Sequence, residues 1–480
     1  MSHVAKFLMC LASILCGLNW MTAVRAQLPS QLAGNIHQES PPFLSPSQVL
    51  EDIAVYEGIL RESYARFPIL QQNGLDWDNV FFNLKASLSE SNQKILTKNF
   101  LEKLMETLQF TEDTSFRAEF SLHKRLYQSS VGSDYLPLYT TITLVKQNDT
   151  YRVLPDSFYP KIANQWFIRC FNTSHQLFPI VPERQGEQRF ILGKFTNKNP
   201  SSLECLFADG LGKNLRQSLK LEHHTSIIYS EKDPVFTWTP GHIPYIRWMR
   251  EGHLNDSDTQ RFFSISSQIR SSNAFIIDVR GNVTGSFGFI DQWLRPITSK
   301  NWHNTIIREK QSKITLEGVL NRLEYLRNSS EASYEERLTL NKEKQRMLAL
   351  LRYVESQNIP YRMVETKFSF SGNPSASWWN KRMIVVVNRH CGDGCQFLAA
   401  SAKQLKNSFL VGENPGNFPK TSRIPLYQLP HSKIRVSVNH RLHLDPDGIP
   451  ISPSGHQPDF WLDHPASLSE IYRLARSTQL

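Results

Sequence analysis

The stretch VVVNRHCGDGCQFLAASAKQLKNSFLVGENPGN, residues 385–417, decides the architecture of the chain. Its β-branched run, preceded by Met383 and Ile384, feeds a turn crowded with glycine and cysteine. An Ala-rich helical stretch comes next, and then a second apolar run ending at Gly412-Glu413. Strand, tight turn, helix, strand is the unit from which parallel sheets with crossover helices are assembled. The turn puts an acid, Asp393, at the mouth of the helix, where exposed N–H groups and the macrodipole favour an anion. Spacing alone leaves two roles open for it, a helix N-cap or a functional carboxylate.

Outward from this block, the same alternation begins near residue 236. IPYIRWM (243–249), the helix-like DTQRFFSISSQIRSS (258–272) and AFIIDV (274–279), apolar but for Asp278, precede MIVVVN and FLVGE. The expected class is α/β, with a core over 236–480. A highly charged, helix-prone segment, 312–357, interrupts it as a helical insertion whose charges read as a solvated face. Residues 44–125 predict an N-terminal helical region. There, Ser45-Pro46 opens a run with Val49, Ile53, Tyr56, Ile59 and Leu60 at helical spacing. Residues 136–235 change texture to short β-rich runs between polar turns, a small β-rich module.

The 480 residues, 40% apolar and 20% charged, are an ordinary globular balance with mass for a substantial core. Residues 1–26 carry Lys6, an apolar stretch to about Met21 and the small-residue end Val24-Arg25-Ala26. They read as a signal peptide, the alternative being a membrane anchor, and 27–43 reads as a linker. No later segment reads as a membrane span. The expected location is the periplasm or the exterior. Cleavage would remove Lys6 and Arg25 and no acid, taking the net charge from +10 to +10 − 2 = +8. The remaining charges are scattered along the chain, which argues against nucleic-acid binding. Cys170, Cys205, Cys391 and Cys395 would remain. Three pairings are possible, Cys391–Cys395 with Cys170–Cys205 being the simplest, and four buried thiols are the alternative. His390, Cys391, Asp393 and Cys395 are metal-ligand types, but their spacing matches no standard zinc pattern. Neither a metal nor another cofactor is expected.

A second loop trails a buried-looking strand: IIDVRGNVTGSFG, 276–288. Its Gly-rich turn can aim backbone N–H groups at an oxyanion. Taken with the opening stretch and the late QPDFWL (457–462), it resembles the tail-specific (C-terminal-processing) protease family of serine peptidases. FIIDVRGNVTGS is similar to that family's Asp-Leu-Arg-x-Asn-x-Gly-Gly loop. The opening stretch resembles its nucleophile block of strand, Ser-x-x-Glu turn, Ala-rich helix and Val-Gly-Glu strand. QPDFWL resembles its closing Pro-Asp strand. The resemblance spans about 45–465 and is firmest from about 241. It implies a crotonase-like α/β core and a serine peptidase, and it makes the β-rich module a candidate for a degenerate PDZ-like domain.

Carried over residue by residue, the resemblance puts Asp393 where the nucleophilic serine stands and Gln396 where the Ser-x-x-Glu pattern ends. Phe418 falls at the place of the catalytic lysine, and Lys420, two residues on, is the nearest substitute. The Gly-Gly pair becomes Thr284-Gly285, leaving Gly285 and Gly394 in the oxyanion-hole region. A carboxylate attacks an amide poorly, and its charge opposes the oxyanion to be stabilised. The implied function is therefore a peptidase-like protein impaired in proteolysis that binds polypeptide or another extended ligand. The alternative is an active serine- or cysteine-type peptidase with a displaced set: Ser401, or Cys391 or Cys395 beside His390, with Lys420.

Overall fold

Two runs with every central residue buried, Ala274–Asp278 and Arg382–Val387, lie side by side as parallel strands, Ile276 opposite Ile384. Alternation along each strand explains why the residues other than the charged end of each, Asp278 and Arg382, need to be apolar. Phe275, Ile277, Met383, Val385 and Val387 enter one core cluster, and Ala274, Ile276, Ile384 and Val386 enter the cluster on the opposite face. The first face is covered by the helices Asp256–Gln268, Phe287–Leu294 and Asp393–Gln404, and the second by Leu468–Arg476. The fold is mixed α/β, as the strand–helix alternation predicts.

The computed structural model describes residues 39–89, 93–111, 113, 115–131, 136–155, 158–171, 175–183, 186–196, 202–223, 236–248, 256–282, 287–297, 302–328, 334–370, 381–405, 407–415, 424–445, 447–451, 455–462 and 468–477. The chain divides into two units, each made of three separate segments. One holds Met1–Val131, Ile307–Thr366 and Thr421–His443. The other holds Gly132–Ile306, Lys367–Lys420 and Leu444–Leu480.

The second unit is organised by a 14-stranded sheet. From one edge its strands are Asn214–Lys220, Ser202–Ala208, Trp166–Cys170, Thr150–Val153, Leu136–Gln147, Arg189–Thr196, Gln176–Ile180, Phe460–Trp461, Ser408–Gly412, Arg382–Val387, Ala274–Asp278, Tyr245–Trp248 and Phe236–Thr239. The short strand Glu222–His223 pairs back onto Leu136–Gln147. The β-rich stretch and the parallel core thus share one sheet, joined where Ile180 lies opposite Trp461 in parallel register. Tyr139, Phe178, Ile191 and Trp461 bury that joint. Cys170 and Cys205, directly opposed on neighbouring strands, are bonded to each other.

In the first unit, the helices Pro46–Ser63, Trp77–Ser89 and Thr97–Thr107 pack with the antiparallel sheet Leu426–Gln428, Arg435–Ser437, Arg117–Leu122 and Arg125–Ser130. Ser45 and Gln48 start the first helix with a reciprocal cap. The charged segment forms two helices, Lys313–Arg327 and Tyr334–Ser356, which meet through Leu316, Val319, Leu323, Met347 and Val354. By its contacts this segment belongs with the N-terminal helices. Residues 1–38, with the expected signal peptide and most of the linker, lie outside the described residues.

Candidate functional site

The Ala274–Asp278 and Arg382–Val387 strands end in loops that are stitched to each other. Asn388, the first residue past the second strand, accepts at Oδ1 from the backbone N–H of Gly281 (2.8 Å) and of His390 (3.2 Å). In return the Gly392 N–H donates to the carbonyl of Asn282 at 2.9 Å. Asn282, fully buried, anchors its own side chain on the Trp248 carbonyl at 3.3 Å. The Asp278 carboxylate, also fully buried, is wrapped by Arg280, whose Nε (2.9 Å), Nη2 (2.6 Å) and backbone N–H (3.1 Å) all donate to it. Tyr245 adds its hydroxyl at 2.7 Å. A buried charge held by this many donors fixes a backbone, because every alternative leaves the carboxylate unsatisfied.

The turn Asn388–Gly392 delivers the helix Asp393–Gln404, with Gly392 as an N-cap that has no side-chain hydrogen bond. Asp393 is therefore the first helical residue and not the cap, and it enters the description by its backbone alone. Gly394, buried, lies in the same first turn, whose N–H groups have no acceptor within the helix. His390 is half-buried. Burial and the neighbouring Arg389 lower its proton affinity, with Glu413 opposing, so the imidazole is neutral at pH 7.

The next strand, Ser408–Gly412, runs parallel to Arg382–Val387, and its last residue explains the glycine of Val-Gly-Glu. Gly412 has φ +123°, and a Cβ there would lie 2.0 Å from the Val387 carbonyl oxygen. Glu413 then donates its N–H to that same oxygen at 3.1 Å and is buried, with Arg389 Nη1 3.7 Å from its carboxylate. Gln396, one turn into the helix, ties the helix to the residues that follow this strand by donating from Nε2 to the Pro415 carbonyl at 2.9 Å. Asp459 of the closing segment caps the Ser408–Gly412 strand, accepting from the Leu410 N–H at 2.8 Å. It also pairs with Lys403 of the helix.

The two loops singled out in the sequence are thus brought together, with Gly394 and the start of the Asp393 helix beside the 278–282 loop. Thr284, Gly285, Phe418 and Lys420 lie outside the described residues. Cys391 and Cys395 are bonded to each other, Cα atoms 5.6 Å apart, and fully buried, so neither offers a free thiolate. Ser401 is buried in mid-helix with its hydroxyl donating to the Phe397 carbonyl at 2.8 Å. Among the described residues no group of three or more His, Cys, Asp or Glu side chains is arranged to hold a metal ion. Sequence reasoning missed Asn388, Asn282 and Tyr245, which do the stitching. Asn388 had one signal, a turn-forming amide directly after an apolar run.

Residues 242–462 match the profile described as Peptidase family S41. This part of the chain is similar to peptidase family S41. The match opens just before the Tyr245–Trp248 strand and closes at Leu462, so it encloses the parallel strands and both stitched loops. Among solved structures, mature CPAF complexed with lactacystin is similar at 15% identity and TM-score 0.44, covering 87% of this chain and 94% of that one. A peptidase described as putative from Parabacteroides merdae shares 11% identity at TM-score 0.46, with 90% and 98% covered. The photosystem II D1 C-terminal processing protease shares 15% at TM-score 0.34, with 89% and 96% covered. No curated protein matches the chain. The S41 assignment rests on the profile match and the motifs inside it. Among the described residues no helix is long and apolar enough to cross a membrane.

Proposed function

We propose that the chain is an exported protein whose S41 site does not carry out serine-type proteolysis and instead holds polypeptide or another extended ligand. The residue at 393 carries this reading. An aspartate opens the helix at the turn where the family pattern has its serine, beside a loop whose backbone is fixed by Asp278 and Asn388. Such a carboxylate is a poor nucleophile towards an amide, is expelled more readily than the amine from the tetrahedral intermediate it would form, and repels the developing oxyanion. The nearby groups that could replace it are engaged elsewhere, Cys391 with Cys395 and Ser401 with the Phe397 carbonyl. In this reading Gly285 and Gly394 retain the backbone of an oxyanion hole, Lys420 is not a working base, and 136–235 is an accessory ligand-binding module. Export is supported by the sequence of residues 1–26 and by two disulfides, which persist in oxidising compartments.

The test compares the native mature chain with Asp393→Ala and Asp393→Ser forms, each incubated with an unfolded protein substrate. The expected outcome is no cleavage by the native or alanine form, with substrate retained in a pull-down by both. Turnover by the native chain that disappears in Asp393→Ala would sink the proposal.

A further inference from the structure

The 14-stranded sheet of the second unit ends in two edges of different character. At Asn214–Lys220 the exposed positions include Arg216 and Lys220. Charge on an edge strand keeps it from pairing with another chain. The opposite edge, Phe236–Thr239, has the sequence Phe-Thr-Trp-Thr. It carries no charge and consists of residues that favour strands.

The backbone ladder tells which groups of this edge are open. Ile276 donates its N–H to the Pro244 carbonyl at 2.9 Å, so Pro244 and Ile246 face the Ala274–Asp278 strand. Tyr245 and Arg247 alternate with them and face the edge strand, where their register partners are Thr239 and Thr237. Phe236 and Trp238 alternate in turn, and their N–H and C=O groups point outward in the plane of the sheet. Among the described residues no strand pairs with them. Pro240, next in that outward row, has no N–H, so the open edge ends there. The side chains divide by the same alternation. Phe236 and Trp238 are half-buried against the core of the parallel sheet, with the Phe236 and Phe262 ring centroids 5.3 Å apart. Thr237 and Thr239 are exposed on the other face.

We propose that Phe236–Thr239 pairs antiparallel with the same strand of a second copy of this chain, about a two-fold axis at Thr237. In that register Phe236 of each copy faces Trp238 of the other, and the two Thr237 residues face each other. The outward groups of Phe236 and Trp238 then meet as hydrogen-bonded pairs, each exchanging both N–H···O bonds. Aromatic pairs and Thr–Thr pairs are among those that stabilise antiparallel strands. The strand is thus complementary to itself in hydrogen bonding, in side-chain type and in its lack of charge, which selects a second copy as the occupant. The same pairing at Asn214–Lys220 would gather Arg216 and Lys220 of both copies along one seam. An interface of this kind is isologous and closes at two copies.

The test is sedimentation velocity on the full mature chain at rising protein concentration. A contact this short belongs with weak, transient interfaces, so reversible dimerisation is expected with a midpoint between about 1 µM and about 1 mM. Thr237→Lys and Thr237→Glu, both at an exposed position, should each weaken it at least about tenfold by setting like charges opposite each other. An equimolar mixture of the two variants should dimerise at least as tightly as the parent, because lysine then faces glutamate. That recovery excludes misfolding as the cause of the loss. A chain that stays monomeric up to about 1 mM, a dimer that both variants keep, or a mixture that stays monomeric would overturn the proposal.

Discussion

Glu309 shows how one residue's role is set by partners that sequence distance hides. Its carboxylate is bound by Arg441, 132 positions away, with Nε at 2.9 Å and Nη2 at 2.8 Å, and His440 stands 3.8 Å off. Burial pushes the carboxyl up, but Arg441 and His440 pull it down further, to about 2 from an ordinary 4.5. A folded pKa below the unfolded one stabilises the fold above about pH 4.5, and the contribution is lost as pH falls through about 2. Glu309→Gln should therefore cost about 3 kcal/mol at pH 7, with the gap from the parent closing between pH 4.5 and 2, read from urea midpoints at several pH values. Nothing around Glu309 in the sequence announces this pair. The glycine of Val-Gly-Glu, by contrast, was legible as a motif, although its cause, the Val387 oxygen in the place of a Cβ, needed the neighbouring strand.

At the scale of elements, the apolar runs and helical periodicities declared themselves. Met383 to Val387 has no polar residue to spare, and the Pro46–Ser63 helix carries its own cap. Several strands did not, among them two in the β-rich stretch. Gln176–Ile180 contains a proline, and Asn214–Lys220 is mostly polar. Both are strands because neighbours of fitting register lie alongside, Phe178 opposite Ile191 and Leu219 opposite Leu203. The disulfides differ in the same local-against-distant sense. The Cys391–Cys395 pair closes a loop of sequence separation 4, and the Cys170–Cys205 pair one of separation 35. On loop-closure entropy the first contributes about 2 kcal/mol and the second about 4 kcal/mol. Replacing Cys170 and Cys205 by alanine should thus lower the unfolding free energy about twice as much as replacing Cys391 and Cys395. Equal losses in denaturant titrations would contradict that ordering.

Over the whole molecule, the chain crosses between its units repeatedly, and each is assembled from three segments. In the first, Ile314, Tyr427, Leu429, Ile434, Val436 and Val438 are buried against Tyr56, Phe81, Phe100 and Phe116 from the N-terminal helices. A chain beginning at residue 132 would expose that surface while keeping the entire S41 region. It should aggregate or elute as a swollen species in size-exclusion chromatography with near-ultraviolet dichroism lost, and a folded monomer would refute this. The sequence by itself determined the α/β class, the strand–turn–helix–strand block and the family, because these depend on local periodicity and on residues adjacent in the chain. Only the tertiary structure decided that Asn388 and Asn282 bind two loops into one site, that 307–366 and 421–443 pack with the N-terminus, and that Arg322 and Arg435 meet over the Tyr325 ring. Those outcomes come from hydrogen bonds, burial and charges whose partners lie a hundred or more residues apart, where the order of residues carries no record of distance.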